Sequence, residues 1–310
     1  MIFRLLVIFF LFTSFQLPPK DPFIVILGTT QDAGYPQIGC DKECCKKYWD
    51  KKIAKQKVSC LALFDPLTNQ KWIFDATPDL TAQLHDVDVL QKGNLSGIFL
   101  THAHIGHYAG LMYLGREALN AKEIPVYAMP RMYDYLKNNG PWSQLISLKN
   151  IQLQKIKADS TIKLTDNISV TPFLVPHRDE FSETIGYGIN AGTRSVLFIP
   201  DIDKWQKWNI DIRELVTAYN YVFLDGTFYQ DGELPGRNMA EVPHPFVQES
   251  MQLFDDLPSS QKQKIYFIHF NHTNPLIDRS SKEYKEVKSK GFNVAIEAFK
   301  YRFKSVENND

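Results

Sequence analysis

The alternation of apolar and polar segments along the chain predicts a protein built from short strands and intervening helices. Apolar runs rich in β-branched and aromatic residues predict buried strands. These runs span residues 23–27, 59–64, 71–75, 97–100, 126–128, 151–153, 168–173, 184–189, 195–199, 221–225 and 264–270. The runs 59–64 and 71–75 flank a segment with turn residues, Asp65-Pro-Leu-Thr-Asn69, and therefore predict a hairpin.

Helices are predicted between several of these strands. Thr77-Pro78 is a favourable entry to a helix over Leu80–Leu90, and Asn139-Gly140 closes one over Arg131–Asn138. Two further helices are predicted, one continuing through Leu111–Leu119 and one over Pro245–Leu257. Strands that first form hairpins and then alternate with helices predict two packed sheets covered by helices, in one domain over residues 20–310.

The N-terminus differs from the rest of the chain. One positive charge at Arg4, the apolar run Leu5–Phe12 and a polar exit to Pro19 are typical of a signal peptide over residues 1–19. We therefore expect an exported protein, periplasmic or secreted, without a stable membrane span after signal removal, because the run is short for a bilayer. A first buried strand or an uncleaved anchor is the alternative.

Composition narrows the class of protein. At 310 residues, with 44% hydrophobic and 23% charged residues, the chain resembles a soluble globular enzyme. Basic and acidic residues number 35 each, so the chain lacks the basic footprint of a nucleic-acid-binding protein. We expect a small-molecule substrate and no nucleic acid, while the oligomeric state has no signal in the sequence.

Three of the eight histidines lie in Thr101–Gly110, directly after the strand predicted over 97–100. His102 and His104 are spaced by two, so on an extended segment their side chains point to the same side. His107 turns back toward them if a helix begins at that point. Neutral imidazoles are good ligands for zinc, iron and similar ions, so this stretch predicts a divalent metal site.

Other possible ligands follow later strands. His177, Asp201 and His269 each come at the end of a predicted strand, and His272 lies close behind. A rigid scaffold presents functional groups at such positions. Together with the first cluster they provide enough nitrogen and oxygen for two metal ions.

The cysteines form a second candidate site. Cys40, Cys44 and Cys45 are crowded together, whereas Cys60 stands apart. An exported protein would ordinarily form disulfides. Neighbouring cysteines bridge each other poorly, however, and a compact thiolate cluster is typical of structural zinc. Zinc is the favoured reading, with disulfides or free thiols as the alternative.

The order His-x-His-x-x-His, lone histidine, strand-end aspartate and final histidine resembles the metallo-β-lactamase superfamily. More narrowly it resembles the branch with the pyrroloquinoline quinone biosynthesis B protein and the phosphonate-pathway cyclic phosphodiesterase. The resemblance runs from about residue 23 to residue 276. Its supporting motifs are Tyr35-Pro-Gln37, Asp75-Ala-Thr-Pro-Asp-Leu80, Gly110-Leu-Met-Tyr-Leu-Gly-Arg-Glu117, Asp225-Gly-Thr-Phe228 and Asn271-His-Thr-Asn-Pro275.

This resemblance implies an α/β (α+β) fold, an αββα sandwich of two mixed β-sheets flanked by helices. It implies one or two divalent ions, zinc or else iron or manganese, that acidify a water molecule into a nucleophile. The implied ligands are His102, His104 and His177 for the first ion, His107 and His269 for the second, and Asp201 bridging both.

The resemblance also implies supporting residues. Asp75, Asp79 and Asp225 would orient ligating imidazoles, or else act as turn or helix-capping aspartates. His244 would stabilise an oxyanion or protonate a leaving group, or else simply pack between two prolines. One additional structural zinc would be held by Cys40, Cys44, Cys45 and His272.

One position departs from the superfamily pattern His-x-His-x-Asp-His, because Gly106 stands where the aspartate is expected. The change removes one oxygen ligand and one negative charge from the second ion's site, so a mononuclear site stays open. The functional expectation is a metallohydrolase of a small phosphodiester or related ester. The alternatives are an iron-dependent oxidative enzyme related to quinone-cofactor biosynthesis and a non-catalytic metal-binding relative.

Overall fold

The computed structural model describes residues 21–298 and 300–302. The predicted signal peptide lies outside the described residues. No helix in the described part of the chain is both long and apolar enough to cross a membrane.

The predicted strands occur in the predicted order, together with short strands and helices that the sequence analysis did not predict. The strands are β1 Phe23–Gly28, β2 Cys60–Asp65, β3 Gln70–Phe74, β4 Asn94–Phe99, β5 Ile124–Ala128, β6 Ile151–Lys155, β7 Ile162–Lys163, β8 Ile168–Leu174, β9 Ile185–Ala191, β10 Arg194–Ile199, β11 Tyr221–Asp225, β12 Ile265–Ile268, β13 Asn293–Val294 and β14 Lys300–Arg302. The α-helices are α1 Glu43–Trp49, α2 Leu80–Leu90, α3 Ile105–Tyr108, α4 Pro130–Asn138, α5 Trp142–Ser147, α6 Ile212–Ala218, α7 Val247–Leu253, α8 Ser259–Lys262 and α9 Lys282–Ser289.

The strands form two mixed seven-stranded sheets, ordered β14-β1-β2-β3-β4-β5-β6 and β13-β12-β11-β10-β9-β8-β7. In the first sheet β1, β2 and β3 pair antiparallel and β3 to β6 pair parallel. In the second, β8 to β10 pair antiparallel and β10 to β13 parallel. The predicted hairpin of β2 and β3 is confirmed.

Three apolar layers hold the sheets and helices together. The layer between the sheets is rich in aromatic side chains such as Phe74, Phe99, Tyr187 and Phe198. A second layer packs the outer face of the first sheet against α2, α4 and α5, and a third packs the second sheet against α6, α7 and α9. Burial on both faces explains why the central strands are continuous apolar runs. The predicted αββα sandwich is confirmed.

The candidate ligands gather at one edge of the sandwich. Strands β1, β3 and β4 run in the same direction in the first sheet, and β8, β10, β11 and β12 do so in the second. Residues that follow these strands therefore meet at the same edge, where loops between strands and helices carry function.

Two predicted helices differ from the structure. The prediction for Leu111–Leu119 is wrong, because α3 ends at Tyr108 and a 3-10 helix follows over Ala109–Leu114. The cause is tertiary: the Gly110 N–H donates to the Ala76 carbonyl at 2.8 Å. The helix predicted over Pro245–Leu257 is shorter, Val247–Leu253, whereas α2 is confirmed at both ends.

We expect Gly110→Ala to destabilise the fold. A Cβ at Gly110 would lie 2.0 Å from the Thr77 carbonyl oxygen, so the backbone of the 76–77 loop would have to move. Overpacking of this kind costs about 2 kcal/mol, which lowers the melting temperature by roughly 5 °C. Thermal unfolding followed by circular dichroism measures the change. Gly140→Ala is the matched control, because a Cβ there meets nothing within 4 Å; equal melting temperatures for the two variants would contradict the expectation.

Candidate metal centre

Four side chains converge where the predicted first ion would lie. The Asp201 carboxylate, which follows β10, is buried, with Oδ2 3.3 Å from His102 Nε2 and Oδ1 3.2 Å from His177 Nε2. His104 Nδ1 lies 3.7 Å from Asp201 Oδ2. One ligand atom from each of these four residues lies within 4.8 Å of the other three. Atoms that share a tetrahedral zinc ion are separated by about 3.3 Å, which matches the shorter distances here.

The predicted ligands of the second ion also lie together. His107 Nε2 and His269 Nε2 are 3.2 Å apart, and both rings are buried. His269 Nε2 lies 4.0 Å from Asp201 Oδ2, so the Asp201 carboxylate faces both groups of histidines.

The structure adds Asp32, which the sequence interpretation did not single out. Its Oδ1 lies 3.4 Å from His107 Nε2, and Asp32, His107 and His269 form a further group of possible ligands. Asp32 lies on the loop after β1, just as Asp201 lies after β10. The position of Asp32 just after a predicted strand was the available signal in the sequence, but Asp32 belongs to no motif that the sequence analysis recognised.

Hydrogen bonds at Nδ1 orient two of the imidazoles from the same strand end. Thr101 Oγ1 lies 2.9 Å from both His102 Nδ1 and Asp75 Oδ2. His107 Nδ1 lies 2.7 Å from Asp75 Oδ2. The hydroxyl donates to the carboxylate and accepts from His102, and the Asp75 carboxylate accepts from His107. Asp75 thus lies where the sequence analysis expected an orienting carboxylate.

Two more imidazoles are held in the same way. His177 Nδ1 lies 3.1 Å from Asp203 Oδ1. His269 Nδ1 lies 2.9 Å from Thr227 Oγ1, whose hydroxyl donates to Asp225 at 2.7 Å. Asp203 and Thr227 were missed: Asp203 belongs to no motif, and in the motif Asp225-Gly-Thr-Phe228 only the aspartate was assigned a role. A proton on each Nδ1 leaves the Nε2 lone pair available for a metal ion.

Asp79 does not have the orienting contact that the sequence analysis expected. Its carboxylate accepts from the Val58 N–H at 3.0 Å and from Lys55 at 2.8 Å. These bonds attach the start of α2 to the segment before β2. Asp79 thus anchors the start of α2 among the described residues, and a role in orienting an imidazole stays a prediction.

Backbone strain is concentrated at this edge. Asp75 and His269 adopt φ values of 71° and 70°, in the left-handed region that non-glycine residues seldom occupy. Such conformations cost free energy and persist where surrounding structure imposes them. Here they direct a buried carboxylate and a buried imidazole toward the cluster.

Several buried polar atoms at the site are unsatisfied. Among the described residues, five such atoms lie at this edge without a hydrogen-bond partner: Asp32 Oδ1, His102 Nε2, His104 Nε2, His177 Nε2 and Asp201 Oδ1. A buried polar atom without a partner costs about 1–3 kcal/mol. Coordination to divalent ions would satisfy these donor atoms, so the residues fit the metals that the sequence predicts.

The electrostatics favour ligation. Although burial raises the pKa of Asp201, the surrounding His177, His244 and His269 lower it well below its usual range. Burial lowers the pKa values of His102 and His269, which keeps both imidazoles neutral. Burial also opposes protonation of His107, but Asp75 and Asp32 raise its pKa well above the ordinary value. A proton and a metal ion compete for the His107 Nε2 lone pair.

His244 lies beside this cluster. Its Nδ1 is 2.8 Å from Asp225 Oδ2 and 3.2 Å from Asp201 Oδ1. Burial lowers the pKa of His244, but the two carboxylates outweigh burial and raise it to about 10. The ring also lines a cavity of about 250 Å³ together with Arg178 and Arg237.

The cysteine cluster is assembled as the sequence predicts. Cys40, Cys44, Cys45 and His272 each offer a ligand atom within 4.8 Å of the others. All four cysteines of the chain are free thiols, and Cys40 Sγ lies 3.9 Å from Cys44 Sγ. Two thiolates on one tetrahedral zinc ion would lie about 3.8 Å apart. Burial raises the pKa of the Cys45 thiol to about 12, so a bound cation would be needed to hold it as a thiolate.

Comparisons with known proteins agree with this fold. Residues 70–270 match the family model described as "Beta-lactamase superfamily domain". Coenzyme PQQ synthesis protein B of Xanthomonas campestris is 24% identical over 301 residues, which covers 88% of this chain and 97% of that protein.

Solved structures show the same architecture. Zinc-bound PqqB from Methylobacterium extorquens aligns with a TM-score of 0.76 and 22% identity, over 91% of this chain and all of that one. A diphosphatase from the PhnP family aligns with a TM-score of 0.63 and 20% identity, over 91% of this chain and 97% of that one. Because the family model spans β3 to the segment after β12, the chain belongs to the metallo-β-lactamase superfamily and resembles its PqqB-like branch.

Proposed function

We propose that this protein is a metal-dependent hydrolase that cleaves a small phosphodiester or a related ester. The observation that carries the proposal is the position of Asp201 between two groups of imidazoles. His102, His104 and His177 lie on one side, and His107 and His269 lie on the other. This arrangement suits two divalent ions that share one carboxylate.

Ions held at these positions would acidify a water molecule and polarise the oxygens of the ester. The residues of the chain would fix the geometry in which the ions are held. Hydrogen bonds from Nδ1 to Thr101, Asp75, Asp203 and Thr227 hold the imidazoles in fixed orientations, which keeps the nitrogen lone pairs directed to the cluster.

The adjoining cavity supports an anionic substrate. Arg178 and Arg237 line it, and guanidinium groups bind phosphate oxygens through paired hydrogen bonds. Because Asp225 holds the Nδ1 of His244, we expect its Nε2 to donate to a negatively charged oxygen or to a leaving group. A volume of about 250 Å³ suits a small substrate rather than a folded nucleic acid.

A second candidate is an iron-dependent oxidative reaction. The observation that favours it is the similarity to Coenzyme PQQ synthesis protein B, which covers 88% of this chain and 97% of that protein. Histidine and carboxylate ligands also suit iron. Iron in the purified protein, with oxygen uptake on a tyrosine-like substrate, would favour this candidate. Metal-loaded protein that is inert on both esters and redox substrates would favour a non-catalytic metal-binding relative.

We further propose that Cys40, Cys44, Cys45 and His272 hold one structural zinc, since their spacing and free thiols suit a closed four-ligand site. Export of the protein is proposed from the N-terminal sequence alone.

We expect His104→Ala and Asp201→Asn to abolish hydrolysis, because each removes a ligand atom of the cluster. The rate of p-nitrophenolate release from bis-p-nitrophenyl phosphate should fall at least 100-fold. Loss of a group that merely orients a metal ligand already costs about 10–100-fold in activity, and loss of the ligand itself should cost more. His85→Ala is the control, since His85 is an exposed histidine on α2. Variants that hydrolyse at the wild-type rate would contradict the proposal.

We expect Arg237→Ala to raise KM about tenfold with little change in kcat, because a hydrogen bond to a charged group contributes about 1.5–3 kcal/mol to binding. Arg116→Ala is the control, an exposed arginine paired with Glu117. Steady-state kinetics on a cyclic phosphate and on a neutral carboxylic ester tests the expectation. An equal effect on both substrates would argue against phosphate recognition.

We expect Cys40→Ser to lose one zinc per chain and to melt at a lower temperature, because a hydroxyl is a poor replacement for a thiolate. Elemental analysis gives the zinc content, and calorimetry gives the melting temperature. Cys60→Ser is the matched control for metal content: the Cys60 Sγ contacts the Asp75 carbonyl at 3.5 Å and belongs to no ligand group among the described residues. Unchanged zinc in Cys40→Ser would contradict the assignment.

A further inference from the structure

We propose that Asp32 supplies the carboxylate ligand of the second ion, the ligand that the His-x-His-x-Asp-His pattern places at position 106. The assignment rests on the metal site of the proposed hydrolase, but it concerns where an ion binds rather than which ester is cleaved. In this assignment Gly106 is more than a lost ligand, because the absence of a side chain there makes room for the Asp32 carboxylate.

The distances fit one ion held by three residues. Asp32 Oδ1 lies 3.4 Å from His107 Nε2, which lies 3.2 Å from His269 Nε2. Two ligand atoms bound about 2.1 Å from a tetrahedral ion are separated by about 3.4 Å. The three residues thus have the spacing of ligands that share an ion.

The polar atoms of this group are arranged to bind a cation. Asp32 Oδ1 is buried without a hydrogen-bond partner among the described residues, although the Asp32 side chain keeps 23% of its exposure. His107 donates from Nδ1 to Asp75, so a neutral His107 turns its Nε2 lone pair toward the Asp32 oxygen. Two lone pairs facing each other repel, and a cation between them removes the repulsion. The competing explanation is a doubly protonated His107 paired with Asp32.

The surroundings of Gly106 give an independent reason to place the carboxylate ligand at position 32 instead of position 106. A Cβ built on Gly106 would lie 2.3 Å from Asp32 Cα and 2.5 Å from Asp32 Oδ1. The backbone of the loop that follows β1 therefore fills the space that a side chain at position 106 would need. Since the two positions exclude each other sterically, the glycine admits the Asp32 loop and the carboxylate arrives from that loop instead.

The loop is fixed beside His269 by main-chain hydrogen bonds. The Gln31 N–H donates to the Phe270 carbonyl at 2.9 Å, and the Phe270 N–H donates to the Thr29 carbonyl at 2.8 Å. The Thr30 N–H donates to the Lys57 carbonyl at 3.0 Å. Main-chain bonds to Phe270 on one side and to Lys57 on the other thus fix the loop that carries Asp32. The Asp32 carboxylate is therefore positioned before an ion binds, as a metal ligand should be.

The experiment is metal titration of the full-length protein after chelator treatment, with Mn²⁺ followed by calorimetry and by electron paramagnetic resonance. We expect two Mn²⁺ ions at the centre of the wild type, with the spectrum of a spin-coupled pair. Asp32→Asn should keep one ion and give the six-line spectrum of isolated Mn²⁺, or bind the second ion at least 100-fold more weakly.

Glu180→Gln is the matched control, because it removes the same charge near the site. The Glu180 carboxylate lies 3.6 Å from His104 Nε2 and is half exposed, outside every ligand group that the described part of the chain forms. We expect this variant to bind two ions as the wild type does. If Asp32→Asn melts below the metal-free wild type, Asp32→Ser provides a second, smaller replacement for the same titration.

Equal ion number and affinity in wild type and Asp32→Asn would overturn the assignment, and so would a single-ion wild type, since that result leaves only the His107–Asp32 ion pair. An equal loss of the second ion in Glu180→Gln would also overturn it in favour of a general charge effect. A wild type that binds two ions, loses one in Asp32→Asn and cleaves no phosphodiester would reject the proposed hydrolase while supporting Asp32 as a ligand.

Discussion

The buried carboxylate of Asp201 is the constraint on which the functional edge of this sandwich depends. A buried charge is stable only when opposite charges or hydrogen bonds surround it. Asp201 has imidazoles from both sheets within 4.0 Å, including His102 after β4, His177 after β8 and His269 after β12. The ends of these strands must therefore stay in register across the sheet-to-sheet core. The charge balance at the edge therefore depends on the packing of the aromatic layer. A shift of either sheet would separate Asp201 from the imidazoles that surround it.

The parts of this site that could be predicted from sequence are those that follow strands and match a pattern. His177, Asp201 and His269 stand directly after apolar runs, and strands that point the same way bring such residues to one edge. Asp203 and Thr227 also lie at this edge, but their roles consist only of hydrogen bonds to His177 and His269. No spacing in the sequence reports such a bond. The sequence pattern therefore locates the ligands and the orienting carboxylate of Asp75, whereas only the tertiary structure locates Asp203 and Thr227 as orienting groups.

Two features of the stretch Thr101–Gly110 have a common physical cause, which is close approach of distant backbone. The helix after His107 is short because Gly110 bonds to the Ala76 carbonyl instead of continuing the helix. Gly106 has no side chain because the loop that carries Asp32 lies within contact distance of its Cα. Both glycines lie in the motif itself, so residues that look like spacers between histidines determine how the neighbouring loops pack. A propensity-based prediction weighs only local preferences, and here tertiary contacts outweigh them.

The segment after β12 joins the two candidate metal sites through one loop. His269 faces the central cluster, Phe270 pairs with the loop that carries Asp32, and His272 faces the cysteines. The loop between β1 and α1 is therefore held at two places, by the backbone of Phe270 near Asp32 and by the cysteine group near α1. The Tyr35 hydroxyl adds a bond of 2.6 Å to the Cys44 carbonyl between these places. An ion bound by the thiols would restrict the same loop that presents the Asp32 carboxylate. Such an ion would hold in place a segment beside Asp32 that has little regular secondary structure to fix it.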